Sequence, residues 1–140
     1  MQNHLSEQEI IRRQYLDELR AMGVDPFPAE AFSVNTHASE LRHRFDTEPD
    51  AFKEISLAGR LMSKRIMGKA SFAELQDSSG RIQLYINRDQ ICPGENKELY
   101  NTVFKRLCDI GDFIGVRGYG FKTQTGEISV HVQEFFFLAK

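Results

Sequence analysis

The 140-residue sequence predicts a mainly β domain, a small five-stranded barrel preceded by N-terminal α-helices. Three observations carry this. Apolar residues recur at helical spacing up to about residue 45, and from residue 54 the period changes to two. The period-two segments and one helical stripe follow in the order β-β-β-α-β-β, separated by Gly-, Asp- and Ser-containing turns. The fourth strand is studded with Gly115, Gly118 and Gly120, which suits the sharp coiling that closes a small barrel.

Ser6 and Glu9 have the spacing of a capping box. Behind them Ile10, Ile11, Leu16, Leu19 and Met22 recur at roughly helical spacing and Gly23 stops the run, predicting a helix over 7–22. Arg12, Arg13, Asp17 and Arg20 occupy its other face, which reads as a solvated one. Asp25-Pro26-Phe27-Pro28 is extended, because each proline restricts itself and its predecessor. Thr36 or Asn35 is placed to cap a second short helix, with Leu41 and Phe45 on one face and Arg42 and Arg44 on the other; Thr47-Glu48-Pro49-Asp50 breaks it. These segments form an N-terminal appendage over 1–53, and the barrel occupies 54–140.

In the first strand Ile55, Leu57, Gly59 and Leu61 alternate with Ser56, Ala58, Arg60 and Met62. The segment runs on through Ser63-Lys64-Arg65-Ile66, too long for a clean alternation, so a bend or bulge is expected near Met62–Lys64. Met67-Gly68-Lys69 turns into a second strand from Ser71 to Gln76. Asp77-Ser78-Ser79-Gly80 makes a tight hairpin into a third strand, Arg81 to Asn87. Leu99, Val103, Phe104, Leu107 and Cys108 form a helical stripe ending at Gly111. Residues 112–122 and Glu127 to Phe137 complete the set. This element order is that of a five-stranded OB-fold barrel.

Composition narrows the function. The length fits one domain, or one small domain with an appendage. No apolar run approaches the ~18 residues of a membrane span, and the N-terminus lacks a signal-peptide layout. Cys92 and Cys108 are too few for a disulfide scaffold or a zinc site and fit two free thiols in a reducing, cytoplasmic setting. His4, His37 and His43 lack metal-ligand spacing, and no Walker loop, G-x-G-x-x-G, H-E-x-x-H or G-x-S-x-G is present, which argues against a complete enzyme of most common kinds. The net charge of -2 is unevenly spread. Residues 1–53 hold ten acids and six bases, 54–90 hold four and six, and 91–140 hold six of each. The basic excess thus falls in the β segment, although an excess of two is weak evidence by itself.

The phase of the strands gives the sharper clue. Ala73 and Leu75 share one phase of the second strand and must face the core, which leaves Phe72, Glu74 and Gln76 outside. In the third strand Ile82, Leu84 and Ile86 face in, and Arg81, Gln83, Tyr85 and Asn87 face out. The outer face of these two strands, where OB-folds bind oligonucleotides or oligosaccharides, then shows Phe72 and Tyr85 beside Gln83 and arginines. Aromatic rings stack on unpaired bases, a glutamine offers both donor and acceptor to a base edge, and arginines meet phosphates. Burial of Phe72 and Tyr85 under the N-terminal helix or a neighbouring domain is the competing reading. His131 alternates with Val130 and Val132 and reads as a solvated outward histidine. Phe135-Phe136-Phe137 closes the barrel, packs on the helices or meets another domain.

The stretch AGRLMSKRIMGKASFAELQDSSGRIQLYINRD, from Ala58 to Asp89, closely resembles the anticodon-binding domain of bacterial-type class II lysyl-tRNA synthetases. GDFIGVRGYGFKTQTGEISVHVQEF is similar to the fourth and fifth strands of that family, and LSEQEIIRRQYLDELRAMGVDPFP to its N-terminal helix. The resemblance implies reading of the anticodon loop of tRNA(Lys). By motif match it assigns Phe72 to stacking on an anticodon base, Gln83 to hydrogen bonding the central uridine, and Arg65 and Glu134 to anticodon contacts; the bases Arg60 and Lys64 would attract the RNA backbone, with Tyr85 on the same face. Counting from Val130 and Val132 points Glu134 inward, so a bulge or the strand end must turn it out. The resemblance also implies a class II catalytic domain, ATP and Mg²⁺, and a homodimer in the longer enzyme. Nothing here matches the catalytic motifs, so the expectation for this chain is no cofactor, no aminoacylation and no membrane. An aspartyl- or asparaginyl-tRNA synthetase domain, a free-standing single-strand binder and a purely structural domain remain alternatives.

Overall fold

In the structure, a computed structural model, residues 14, 32–92, 94–97, 99–101, 104 and 108–139 are described. Apart from Gln14, the expected helix over 7–22 and the proline-rich step lie outside them. Period-two alternation becomes five strands: β1 (Ile55–Met67), β2 (Ala70–Asp77), β3 (Gly80–Asn87), β4 (Phe113–Lys122) and β5 (Ile128–Ala139). They close into a barrel in the order β1-β2-β3-β5-β4. All pairings are antiparallel except β3 with β5, which run parallel from Gln83↔Ser129 to Ile86↔Val132. The core is the inward set that the alternation predicts, with Leu57, Leu61, Leu75, Leu84, Ile86, Ile114, Val116, Val130 and Val132 fully buried. Phe135 and Phe137 join it, while Phe136 turns out and packs against Phe32.

Two bulges set which side chains reach the surface. β1 shifts register against β2 between Leu61 and Ser63, where a bulge was expected. Beyond it Ser63, Arg65 and Met67 face outward opposite Glu74, Phe72 and Ala70. β5 shifts against β4 beside Arg117 and Gly118, which leaves Gln133 as the extra residue and turns Glu134 out. A side chain at position 118 is impossible there: a Cβ would lie 1.9 Å from the His131 carbonyl oxygen.

Helix α1 (Ala38–Arg44) closes one end of the barrel, with Leu41 and Ala38 buried. Its N-cap is His37 rather than Thr36 or Asn35; the Glu40 carboxylate reaches back to the His37 N–H at 3.4 Å. The first free N–H, of Ala38, finds its acceptor outside the helix, on Asp77 Oδ2 at 2.8 Å. The same carboxylate accepts from the Ser79 hydroxyl and N–H and from the Gly80 N–H, so one aspartate builds the β2–β3 hairpin and pins α1 to it. Burial pushes the Asp77 carboxyl upward, but the Ser79 hydroxyl and the three N–H donors outweigh it and hold its pKa below the usual value.

At the other end lie the short helix α2 (Arg88–Ile91), capped by the Asn87 side chain, and helical backbone at 99–101 and 104. Phe104 is buried as the stripe predicted; Val103 and Leu107 lie outside the described residues. Tyr100, which the stripe did not include, is fully buried, its hydroxyl 2.7 Å from Ser71 Oγ. Both cysteines are buried, and among the described residues neither forms a disulfide. Among the described residues no helix is long and apolar enough to cross a membrane.

Candidate nucleic-acid interface

Strand pairing brings Phe72 directly opposite Tyr85, and Glu74 directly opposite Gln83. Phe72 and Gln83 are therefore diagonal neighbours, about 7–8 Å apart by the general spacing of such pairs. Phe72, Gln83 and Tyr85 are all half-buried on the barrel exterior, so neither ring is sealed in the core. Across β1 the bulge delivers Arg65 to Phe72, with its guanidinium 5.6 Å from the ring centre. Ser63, Lys64, Arg65, Phe72, Ala73, Glu74 and Gln83 line a shallow depression of ≈ 320 Å³.

The row does not end at Tyr85. The parallel β3–β5 register puts His131 beside Tyr85, and the β4–β5 register puts Tyr119 beside His131. The successive ring centres are 5.5, 5.1 and 4.7 Å apart, and Tyr119 lies almost parallel to the imidazole. Phe121 meets His131 edge-on and lies tilted against Tyr85. One row thus crosses all five strands: Arg65, Phe72, Tyr85, His131, Tyr119. His131 faces outward as its phase predicted, but it is boxed by rings rather than solvated. Burial holds its pKa below that of an ordinary histidine, and its Nδ1 has no partner among the described residues.

Polar groups surround this row. Ser129 Oγ donates to Gln83 Oε1 at 2.8 Å. Asn87 Nδ2 donates to the Tyr85 hydroxyl at 3.4 Å while its Oδ1 caps α2, so Asn87 serves as a cap rather than as a free surface amide. Just beyond, Lys69, Arg88 and Lys97 converge on the single carboxylate of Asp89, at 4.0, 3.1 and 3.3 Å. Arg88 and then Lys97 hold that carboxyl below its usual pKa. Three cations around one acid leave net positive charge at the Ala70–Asn87 end of the β2–β3 pair, to one side of the row, an excess which the segment-wise charge count suggested without locating.

Of the residues singled out in the sequence, the structure brings together Arg65, Phe72, Gln83 and Tyr85. Two others lie elsewhere, and a third, Lys64, borders the depression but sends its ammonium away from it. Lys64 faces the opposite way from Arg65: its ammonium donates to the carbonyls of Phe104 and Cys108, at 2.9 and 2.5 Å, and it lies 5.4 Å from the Phe104 ring centre. The bulge explains this, because shifting β1 by one residue places Lys64 in the inward phase opposite Ala73. Arg60 is exposed but lies opposite Gln76, four residues or about 13 Å along β2 from Phe72. Its guanidinium is spread over Phe113 at 4.5 Å and donates to the Gly111 carbonyl at 3.3 Å. Glu134 is turned out by its bulge, but it pairs with Arg117 at 3.7 Å beside Ser56 and Asn35, away from the Phe72–Gln83 pair. Sequence reasoning passed over Glu74 as a site residue and Ser129 altogether. The phase of β2 would have indicated the first; the second needs the β3–β5 register, which no local pattern encodes.

A family profile described as an OB-fold nucleic acid binding domain, of the tRNA anticodon type, matches residues 55–138. The chain belongs to this family. Its curated relatives include a protein named Lysine--tRNA ligase from Porphyromonas gingivalis, 61% identical over 137 residues, covering 97% of this chain and 24% of the relative. Proteins of the same name from Azobacteroides pseudotrichonymphae and Staphylococcus epidermidis are 57% and 41% identical, covering 97% and 100% of this chain and 27% and 28% of their own lengths. The chain therefore spans about a quarter of the length of the relatives it matches, and the match falls on the anticodon-type barrel and the segment before it.

Proposed function

We propose that this chain reads the anticodon loop of tRNA(Lys) as the N-terminal domain of a class II lysine–tRNA ligase. The row running from Arg65 through Phe72 and Tyr85, with Gln83 beside it, supports this most directly. Loop bases, being unpaired, can splay onto Phe72 and Tyr85. Gln83 hydrogen-bonds the edge of the central uridine. Arg65, with Lys69 and Arg88 at the Ala70–Asn87 end of the β2–β3 pair, attracts the backbone in a salt-dependent way. The chemistry that joins lysine to tRNA, with its ATP and Mg²⁺, belongs to a catalytic domain outside this chain, and the longer enzyme is a homodimer. This chain alone binds RNA without aminoacylating it, and the enzyme works in the cytoplasm.

The test is titration of the chain with labelled anticodon stem-loops, read by fluorescence anisotropy. The stem-loop of tRNA(Lys) should bind more tightly than those for aspartate and asparagine. Phe72→Ala should cost about 1–3 kcal/mol in that binding, the usual worth of one stacked base. Equal binding of all three stem-loops, or unchanged affinity in the variant, rejects the proposal.

A further inference from the structure

Gln83 sits between two polar neighbours of its own row. On the β5 side, Ser129 Oγ donates to Gln83 Oε1 at 2.8 Å, while a second acceptor, the Glu127 carbonyl, is more distant at 3.3 Å. Ser129 is fully buried, so water does not compete for its single proton. With Oε1 engaged, the two N–H donors are what the carboxamide has left to offer to the depression that Gln83 lines. On the β2 side, directly opposite, stands the Glu74 carboxylate, which can only accept. The contacts of Glu74 with the Ser63 hydroxyl, 3.3 Å, and with Arg81, 3.9 Å, both fall on Oε1; among the described residues Oε2 has no partner.

We propose that Ser129 and Glu74 make this depression selective for uridine over cytidine. Ser129 is a positioning residue that fixes the Gln83 amide as a donor, and Glu74 is the neighbouring acceptor. The inference rests on the anticodon reading above and adds what sets its polarity. A side-chain amide by itself can rotate by half a turn and pair with either pyrimidine. The fixed donor removes that freedom. Uridine presents an acceptor, O4, next to a donor, N3–H. Cytidine presents an amino group next to a bare N3, so it sets donor against donor and acceptor against acceptor. Such a mismatch leaves desolvated polar groups unpaired, the costly outcome in recognition.

The experiment uses two labelled anticodon stem-loops that differ only in carrying uridine or cytidine at the middle position, and reads the ratio of their dissociation constants. Ser129→Ala and Glu74→Ala should each lower the uridine preference about tenfold, the scale of one lost base-edge contact. Ser129→Thr, which keeps the hydroxyl, should retain it. Phe72→Ala should weaken both RNAs alike and leave the ratio intact. Glu74 is only half-buried, so its variant gives the ratio without risk to the core. An unchanged ratio in Glu74→Ala, or in Ser129→Ala with an unshifted melting temperature, overturns the inference. If the wild-type chain binds neither stem-loop better than a scrambled hairpin, the anticodon reading itself fails.

Discussion

Two arginine–ring contacts, on the two strand pairs that flank the β1–β4 seam, differ in what covers them. On the β4–β5 flank, Arg117 lies 5.3 and 5.0 Å from the ring centres of Phe32 and Phe136 and pairs with Glu134. Phe32 is itself buried, and nearby Asn35 and Thr36 hydrogen-bond to the Ser56 carbonyl, so the chain's own N-terminal segment covers that flank. On the β1–β2 flank, Arg65 rests on Phe72 alone and makes no ion pair among the described residues. The same pairing of cation and ring is thus structural where the chain folds back over it and available where it does not. Coverage, more than residue type, separates a packing surface from a binding surface.

Substitution on each flank sharpens this contrast. Removing the covering ring, Phe32→Ala, should cost about 3 kcal/mol of stability, typical of a buried phenylalanine, and leave RNA affinity unchanged. Urea unfolding and anisotropy together check it, and a loss of RNA affinity at constant stability would break the comparison. Asp77, the joint between α1 and the β2–β3 hairpin, should matter to stability only. Its folded pKa lies below the ordinary value of about 3.9, so its contribution is present above about pH 4 and is lost as the pH falls through the folded value. Asp77→Ala should remove about 2 kcal/mol near neutral pH, the range for hydrogen bonds to a charged group, and the variant should show a flatter loss of stability in acid. The smallest effect comes from the neighbours that the β1 bulge sends opposite ways. Arg65→Gln should reduce the slope of log affinity against log salt by about one, while Lys64→Gln should leave the slope unchanged and lower the melting temperature. Equal slopes for both variants would mean that the bulge does not sort them.

Local pattern made much of this legible. The alternation of Ala73 and Leu75 against Phe72 and Glu74 placed the rings outside, the Asp77–Gly80 turn fixed the β2–β3 register, and the overlong first strand signalled its bulge. What escaped depends on non-local pairing. Lys64 and Arg65 are adjacent bases in the sequence, and only the exact residue that bulges decides which one faces the surface. His131 reads as a solvated histidine until the parallel β3–β5 register and the β4 pairing surround it with Tyr85, Tyr119 and Phe121. The helix cap moved to His37 because its orphan N–H groups are satisfied by Asp77 and Ser79, about forty residues away in sequence, rather than by a local Asn or Thr.

The seam between β3 and β5 holds only four residue pairs, yet the aromatic row crosses it between Tyr85 and His131. A ligand lying across that seam acts as a staple on the weakest join of the cylinder. Because the row exists only once the seam has zipped, such a ligand has no foothold on an opened chain. Its binding should therefore raise the melting temperature with concentration by mass action, and slow amide exchange first at Leu84 and Val130.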